Sequence, residues 1–148
     1  MSELKATTVE LRLPTRLGYE KVAMGTASAV ARLMGFHEER IEDLKTAVAE
    51  ACINAIEHGN RLNEKLSVSV ILRAEPDALE VKVIDDGTGI RKQPPKPNID
   101  RKMHGEEEPR GIGMFLIQSL VDEAEWVAGL DGKSSYVRLL IKLDRAAA

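Results

Sequence analysis

The chain has 148 residues, of which 43% are hydrophobic and 30% are charged, with a formal net charge of −3. This size and balance fit a single globular domain, and the weakly acidic charge gives no reason to expect nucleic-acid binding. No stretch approaches the ~20 apolar residues that span a bilayer, and no secretory signal is evident at the N-terminus. Because Cys52 is the one cysteine, no intramolecular disulfide can form. We therefore expect one cytoplasmic domain over residues 1–148.

In the first half of the chain, alternating apolar residues predict a strand at 7–13, and helical spacing predicts a helix at 17–34. Thr15 is placed to cap that helix. A second helix is predicted at about 38–58, ended by Gly59-Asn60. Its buried side is expected to consist of apolar residues at helical spacing, namely Ile41, Leu44, Val48, Cys52, Ala55 and Ile56.

Further along the chain, strands are predicted at 66–72 and 79–84, joined as an antiparallel hairpin. Residues 86–110 are rich in proline and charge, a composition typical of a functional lid or a disordered loop. A third helix is predicted at about 112–122, and strands at 125–128 and 135–143. This order favours an α+β, two-layer α/β sandwich, with a mixed, mostly antiparallel sheet and the helices on one face.

Three polar residues, Glu50, Asn54 and His58, are spaced four apart on the second helix and share one stripe. The neutral side-chain oxygen of Asn54 suits Mg²⁺, and the Glu50 carboxylate one turn earlier can accept a proton from an attacking hydroxyl. The alternative interpretation is a solvated helix face. His58 is expected to act as a capping or packing group rather than as a metal ligand.

A carboxylate, Asp85, ends the predicted strand before Gly87 and Gly89. A buried aspartate can accept a hydrogen bond from an exocyclic amine such as that of adenine. The glycines would let the backbone turn tightly and approach a ring. The alternative is an ordinary turn at the end of a strand.

Arg110, Gly111 and Gly113 open the third predicted helix. Glycines ahead of a helix N-terminus let backbone N–H groups meet phosphate at the positive end of the helix dipole, and an arginine adds a charge-assisted contact. The alternative is an ordinary junction between a loop and a helix.

Taken together, Glu-x-x-x-Asn on a helix, Asp-x-Gly-x-Gly after a strand and Gly-x-Gly at a helix resemble the Bergerat-fold GHKL ATPases over about residues 8–143. Within that superfamily, the run from Asn54 to Gly59 and the stretch from Gly111 to Ile117 are similar to the anti-sigma-factor serine/threonine-protein kinases of sporulation and general stress.

The resemblance implies that Glu50 is the general base, that Asn54 coordinates Mg²⁺ and that Asp85 binds the adenine amine. Residues 86–110 would be the ATP lid. Ser135 would touch the Asp85 pocket through water. Independently of the resemblance, Trp126 is expected to belong to the core. The remaining nucleotide-binding positions are Gly87 and Gly89 at the base, and Arg110, Gly111, Ile112, Gly113 and Met114 at the phosphates, with Met114 also expected to pack in the core.

The activity implied is transfer of the γ-phosphate of ATP to a small anti-anti-sigma (STAS-type) antagonist by a homodimer that otherwise holds a sigma factor, without direct contact to nucleic acid or membrane. The alternative is an ATP-binding switch that binds a partner without phosphotransfer. A histidine kinase would need a phosphoacceptor-histidine helix pair, and a topoisomerase a transducer domain, for which we expect no room in this chain. Whether the acceptor is serine or threonine stays open.

Overall fold

The computed structural model describes residues 6–87, 110–129 and 134–143. Within them, one five-stranded sheet is accompanied by three α-helices and a short π-helix. In chain order the elements are β1 (Thr7–Pro14), α1 (Glu20–Met34), α2 (Glu38–Asn54), the π-helix (Ala55–Gly59), β2 (Ser67–Glu75), β3 (Ala78–Asp85), α3 (Arg110–Leu120), β4 (Glu123–Val127) and β5 (Tyr136–Lys142).

The strands lie in the order β1-β2-β3-β5-β4, and all four pairings are antiparallel. The mixed sheet expected from the sequence is therefore antiparallel throughout its described strands. Two strands pair in parallel when the connection carries the chain back to the end at which the first strand began. Here two helices lie between β1 and β2 and return the chain to the end at which β1 finished, so β2 runs in the opposite direction. The class is α+β with two layers, as predicted. No helix in the described ranges has the length and apolarity needed to cross a membrane.

The core lies between one face of the sheet and the helices, and α2 is its central helix. All six apolar residues predicted on the buried side of α2 and its π-helical extension are buried. Cys52 is among them, and burial raises the pKa of its thiol to about 12. This thiol is therefore protonated at neutral pH and serves as a small core side chain.

In α1, the helical spacing predicted the helix without identifying its buried face. The buried residues are small, namely Ala23, Ala27, Ser28 and Ala31. The larger Val22 and Leu33 point outward, with 46% and 88% of their surface exposed. Small side chains allow α1 to approach α2 closely, because packing distance between helices depends on the side chains at the contact.

Thr15 does not cap α1, contrary to prediction. The helix begins at Glu20 after Tyr19, and no side chain caps it. The Thr15 hydroxyl instead donates to the carbonyl oxygen of Leu66 at 2.8 Å. An intervening turn with Gly18 at a φ of +106° separates Thr15 from the helix, so its hydroxyl is left to join β1 to the segment before β2.

The opposite face of the sheet carries charged side chains. The Arg138 guanidinium donates from Nε to Glu80 Oε2 at 2.6 Å, and its Nη1 lies 3.5 Å from Glu123 Oε1. The hydrogen bond with Glu80 raises the pKa of Arg138. This polar face distinguishes a two-layer sandwich from a sheet that is buried on both sides.

Candidate functional site

The motifs meet at one end of the sheet because of the chain path. Helix α2 and strand β3 both end there, while α3 and β5 both begin there. Glu50 and Asn54 are carried by the last turns of α2, Asp85 is the last residue of β3, and Gly113 lies in the first turn of α3. Three motifs that are separate along the chain thus contribute to one cleft.

Gly113 packs directly against the Glu-Asn pair. A Cβ atom at Gly113 would overlap Glu50 Oε1 and would lie 3.0 Å from Asn54 Nδ2. Only glycine therefore lets α3 approach α2 this closely while the half-buried Glu50 carboxylate keeps its position. The approach places a carboxylate and an amide beside the N-terminal turn of a helix, where backbone N–H groups lack intrahelical partners.

Asn54 is 9% exposed, and its buried Nδ2 has no hydrogen-bond partner. An unpaired buried amide costs free energy, which a ligand or ion bound at this place would reduce. Rotation of the terminal amide exchanges Oδ1 for Nδ2 at this place, which would give a Mg²⁺ ion a neutral oxygen ligand. In the described ranges no three His, Cys, Asp or Glu side chains are grouped to hold a metal by themselves. The residues therefore fit an ion that arrives with a nucleotide and keeps phosphate and water ligands.

Asp85 lies at the base of the cleft and is 5% exposed. Its backbone N–H donates to the Ser135 carbonyl oxygen at 3.0 Å, and its Oδ1 accepts from the Ser135 backbone N–H at 3.4 Å. On its other side, a Cβ atom at Gly59 would overlap Asp85 Oδ2. The cleft is lined by residues from α2, the π-helix, β3, α3, β4 and β5, namely Ala51, Asn54, Ala55, Val83, Asp85, Met114, Trp126, Tyr136 and Val137.

Ser135 contacts Asp85 through its backbone N–H and carbonyl groups, and the water-bridged contact expected from the resemblance stays a prediction. Its hydroxyl accepts a hydrogen bond from the Gly129 N–H at 2.8 Å, and the residue is fully buried. Ser135 therefore fixes the Asp85 carboxylate and ties the segment after β4 to the start of β5.

Some predicted positions differ from expectation or lie outside the described residues. Helix α3 begins at Arg110, two residues earlier than predicted, so Gly111 joins Gly113 in its first turn instead of preceding the helix. Most of the expected lid, residues 88–109 including Gly89, lies outside the described residues. The side chains of Arg110 and Ile112 also lie outside them. Gly87 is described, and it is buried with a φ of +81°, which favours glycine.

Sequence reasoning missed Asn60, which it treated only as a helix end. Asn60 is completely buried, and its Oδ1 accepts from the backbone N–H groups of Asp86 and Gly87 at 2.9 and 3.2 Å. Trp126 packs against the core, as expected, but it also forms part of the cleft wall. The helical spacing of Ala51 and Ala55 around Asn54 could have identified these two residues as part of the cleft wall. Tyr136 and Val137 could be identified only once the pairing of β3 with β5 was known.

An antiparallel sheet with helices on one face, a buried aspartate at the base of a cleft and a Glu-Asn pair beneath a helical glycine define an ATP-binding domain of the Bergerat type. The family model for the histidine kinase-like ATPase domain matches residues 13–140, and the chain belongs to this family. The GHKL resemblance is thereby confirmed, and family membership implies that the chain binds ATP.

The sequence is similar to proteins named serine-protein kinase RsbW. The one from Bacillus subtilis (strain 168) is 34% identical over 127 residues, which cover 80% of this chain and 76% of that protein. The one from Listeria monocytogenes serovar 1/2a (strain EGD-e) is 34% identical over 121 residues, covering 79% of this chain and 77% of that protein.

A solved structure has the same fold. It is the crystal structure of the RsbU and RsbW domains of a Mycobacterium tuberculosis protein, with a TM-score of 0.66 and 19% identity. The match covers 93% of this chain and 32% of that longer one. At this identity the likeness supports the α+β architecture and nothing finer.

Proposed function

We propose that this protein is an ATP-dependent serine/threonine kinase that phosphorylates a small STAS-type antagonist protein. When it is not so engaged, it sequesters a sigma factor or another signalling protein in the cytoplasm. The observation that carries the proposal is the placement of Glu50 and Asn54 one turn apart against Gly113. The similarity to proteins named serine-protein kinase supports the same activity.

At the base end of the cleft, Asp85 accepts a hydrogen bond from the exocyclic amine of adenine. Ser135 and Gly59 limit where this carboxylate can lie, so the acceptor is preorganised. Gly87 and Gly89 are assigned to a close approach of the backbone to the ring. A guanine base presents a carbonyl oxygen in place of the amine and is disfavoured by repulsion from the carboxylate.

At the phosphate end, the first turn of α3 offers backbone N–H groups from Gly111 to Gly113 to the nucleotide phosphates. Arg110 is assigned to the γ-phosphate, and Ile112 and Met114 are assigned to nucleotide binding. Asn54 would hold Mg²⁺, and the ion would supply neutralisation of the charge that develops on the phosphate. Phosphoryl transfer depends mainly on such positioning and charge neutralisation.

Glu50 is the general base. Its carboxylate takes the proton of the acceptor serine or threonine hydroxyl while the hydroxyl oxygen bonds to the γ-phosphorus. The bond between that phosphorus and the bridging oxygen breaks, and ADP leaves with the electron pair. Because Gly113 closes over Glu50 Oε1, the carboxylate is held beside the turn that receives the phosphates.

The proposal is tested by incubating the protein with γ-labelled ATP, Mg²⁺ and candidate STAS-type antagonists encoded beside its gene. We expect label on a serine or threonine of one antagonist. Binding of ATP and a partner without label transfer to any antagonist would instead support the ATP-binding switch.

Replacing Asn54 with alanine is expected to weaken ATP binding much more in the presence of Mg²⁺ than in its absence, because the substitution removes a metal ligand. Isothermal titration calorimetry with ATP in Mg²⁺ and in EDTA measures both effects. Asn63→Ala, on the exposed segment after the π-helix, is the matched control and should change neither affinity. Equal weakening of both affinities in Asn54→Ala would remove the metal assignment.

We also propose that the protein is a homodimer through α1 and β1. Val22, Ala29 and Leu33 form an exposed stripe along α1 at helical spacing, and β1 is an edge strand with a largely exposed surface. Exposed apolar residues on a helix and an open strand edge each favour self-association.

Leu33→Glu is expected to convert the dimer to a monomer, because it places a charge on the most exposed apolar residue of the stripe. Light scattering coupled to size-exclusion chromatography gives the mass. Leu62→Glu, at an exposed leucine outside α1 and β1, should leave the dimer intact. A monomeric wild type, or a Leu33→Glu variant that stays dimeric, would contradict this interface.

A further inference from the structure

The side-chain amide of Asn60 forms hydrogen bonds through both its oxygen and its nitrogen. Its Oδ1 accepts from the backbone N–H groups of Asp86 and Gly87, which form the turn after β3. Its Nδ2 donates to Thr15 Oγ1 and to the Ser67 carbonyl oxygen, both at 2.9 Å. All four hydrogen bonds are made by a residue with no exposed surface. The amide therefore joins the turn at the cleft to the ends of β1 and β2.

The backbone on both sides of Asn60 adopts uncommon conformations that bring its side chain to the turn after β3. The last turn before it is π-helical, and the Asn60 N–H donates to the Ala55 carbonyl oxygen at 2.8 Å. Arg61 and Leu62 then adopt left-handed conformations with φ of 49° and 59°. Such conformations are disfavoured for these residues and persist where surrounding contacts over-determine them. The four hydrogen bonds of Asn60 are such contacts.

The same segment also confines Asp85. Gly59 precedes Asn60 and packs so closely on Asp85 that a Cβ atom would overlap its carboxylate and lie 2.8 Å from its Cβ. Asn60 binds the two residues that follow Asp85. Together they hold this strand end from two directions, one through packing and one through hydrogen bonds.

We propose that Asn60 is a positioning residue for nucleotide selection. It holds the turn from Asp85 to Gly87 so that the Asp85 carboxylate faces the cleft and selects adenine over guanine. This inference rests on the proposed role of Asp85 in binding the adenine amine. The amide oxygen, which accepts from Asp86 and Gly87, holds the turn that positions Asp85, and the amide nitrogen, which donates to Thr15 and Ser67, serves stability.

The test compares ATP and GTP affinities by calorimetry in the full chain, alongside melting temperatures. Asn60→Ala removes both halves of the amide, and we expect ATP affinity and the preference for ATP over GTP each to fall about tenfold. Thr15→Val removes one Asn60 bond on the donor side, together with the Thr15 bond to the Leu66 carbonyl oxygen, and leaves the bonds to Asp86 and Gly87 in place. We expect a lower melting temperature with the ATP preference unchanged. Should Asn60→Ala not fold, Asn60→Ser carries the same expectation, since its hydroxyl is too short to reach the Asp86 and Gly87 N–H groups.

A folded Asn60→Ala or Asn60→Ser variant with the wild-type ATP preference would overturn the inference. So would an equal loss of preference in Thr15→Val, because that outcome would indicate general loosening. Asp85→Asn is measured in parallel. If Asp85→Asn keeps the wild-type preference, the adenine assignment itself fails. If Asp85→Asn loses the preference and the Asn60 variants keep it, only the role of Asn60 is wrong.

Discussion

Phosphotransfer by the Glu50→Gln variant is expected to be about 10²–10⁴-fold slower than that of the wild type, the usual contribution of a general base. Glutamine keeps the size of the side chain and its fit beneath Gly113, so the loss reports the missing base rather than a changed shape. Single-turnover transfer from γ-labelled ATP to the antagonist measures the rate.

ATP affinity should change little in this variant, because Glu50 is not assigned to hold the nucleotide. Glu57→Gln is the matched control, since Glu57 is an exposed glutamate of the π-helix that extends α2, and it should transfer phosphate at the wild-type rate. A Glu50→Gln variant with wild-type rate would show that another group accepts the proton. Slower transfer together with lost ATP binding would indicate a disturbed site.

ATP is expected to bind about 5- to 150-fold more weakly to Asp85→Asn than to the wild type. The asparagine can still accept from the Ser135 N–H, but it presents an amide donor to the adenine amine, which is also a donor. The loss of a buried hydrogen bond to a charged acceptor corresponds to about 1–3 kcal/mol. Calorimetry with ATP gives the dissociation constant directly.

Asp77→Asn makes the same chemical change in the exposed turn between β2 and β3, at the far end of β3 from the cleft, and should bind ATP as the wild type does. Wild-type affinity in Asp85→Asn would mean that the base lies elsewhere in the cleft. If both variants lost affinity equally, the effect would come from net charge rather than from a contact with adenine.

The family and the fold class could be predicted from the sequence because both depend on local patterns. The apolar spacing of α2 located a helix whose predicted inner residues are all buried. The alternation in β2 and β3 located their hairpin, since the side-chain period of a strand can be read directly from the residues. The motif order then indicated the GHKL superfamily, which the family match confirms.

The roles of the individual site residues remain predictions, but the structure shows which of them can act together. Glu50, Asn54 and Gly113 are in close contact, and Asp85 lies against Gly59 and Ser135. The sequence could not show these contacts, because they join α2 to α3 and β3 to β5 across long separations. It also placed the start of α3 two residues late, since glycines usually indicate a loop and here belong to the helix.

By itself, the sequence determined the class of protein, the central helix with its Glu-Asn pair and the antiparallel hairpin, because hydrophobic period and motif order are properties of neighbouring residues. Only the tertiary structure decided that α1 turns small residues inward and exposes Leu33, and that Asn60 supports the turn after Asp85. The first outcome depends on how closely the helices approach each other. The second depends on which backbone groups, distant along the chain, need hydrogen-bond partners. A buried amide satisfies whichever donors and acceptors the fold brings to it, and those of Asn60 come from residues 15, 67, 86 and 87.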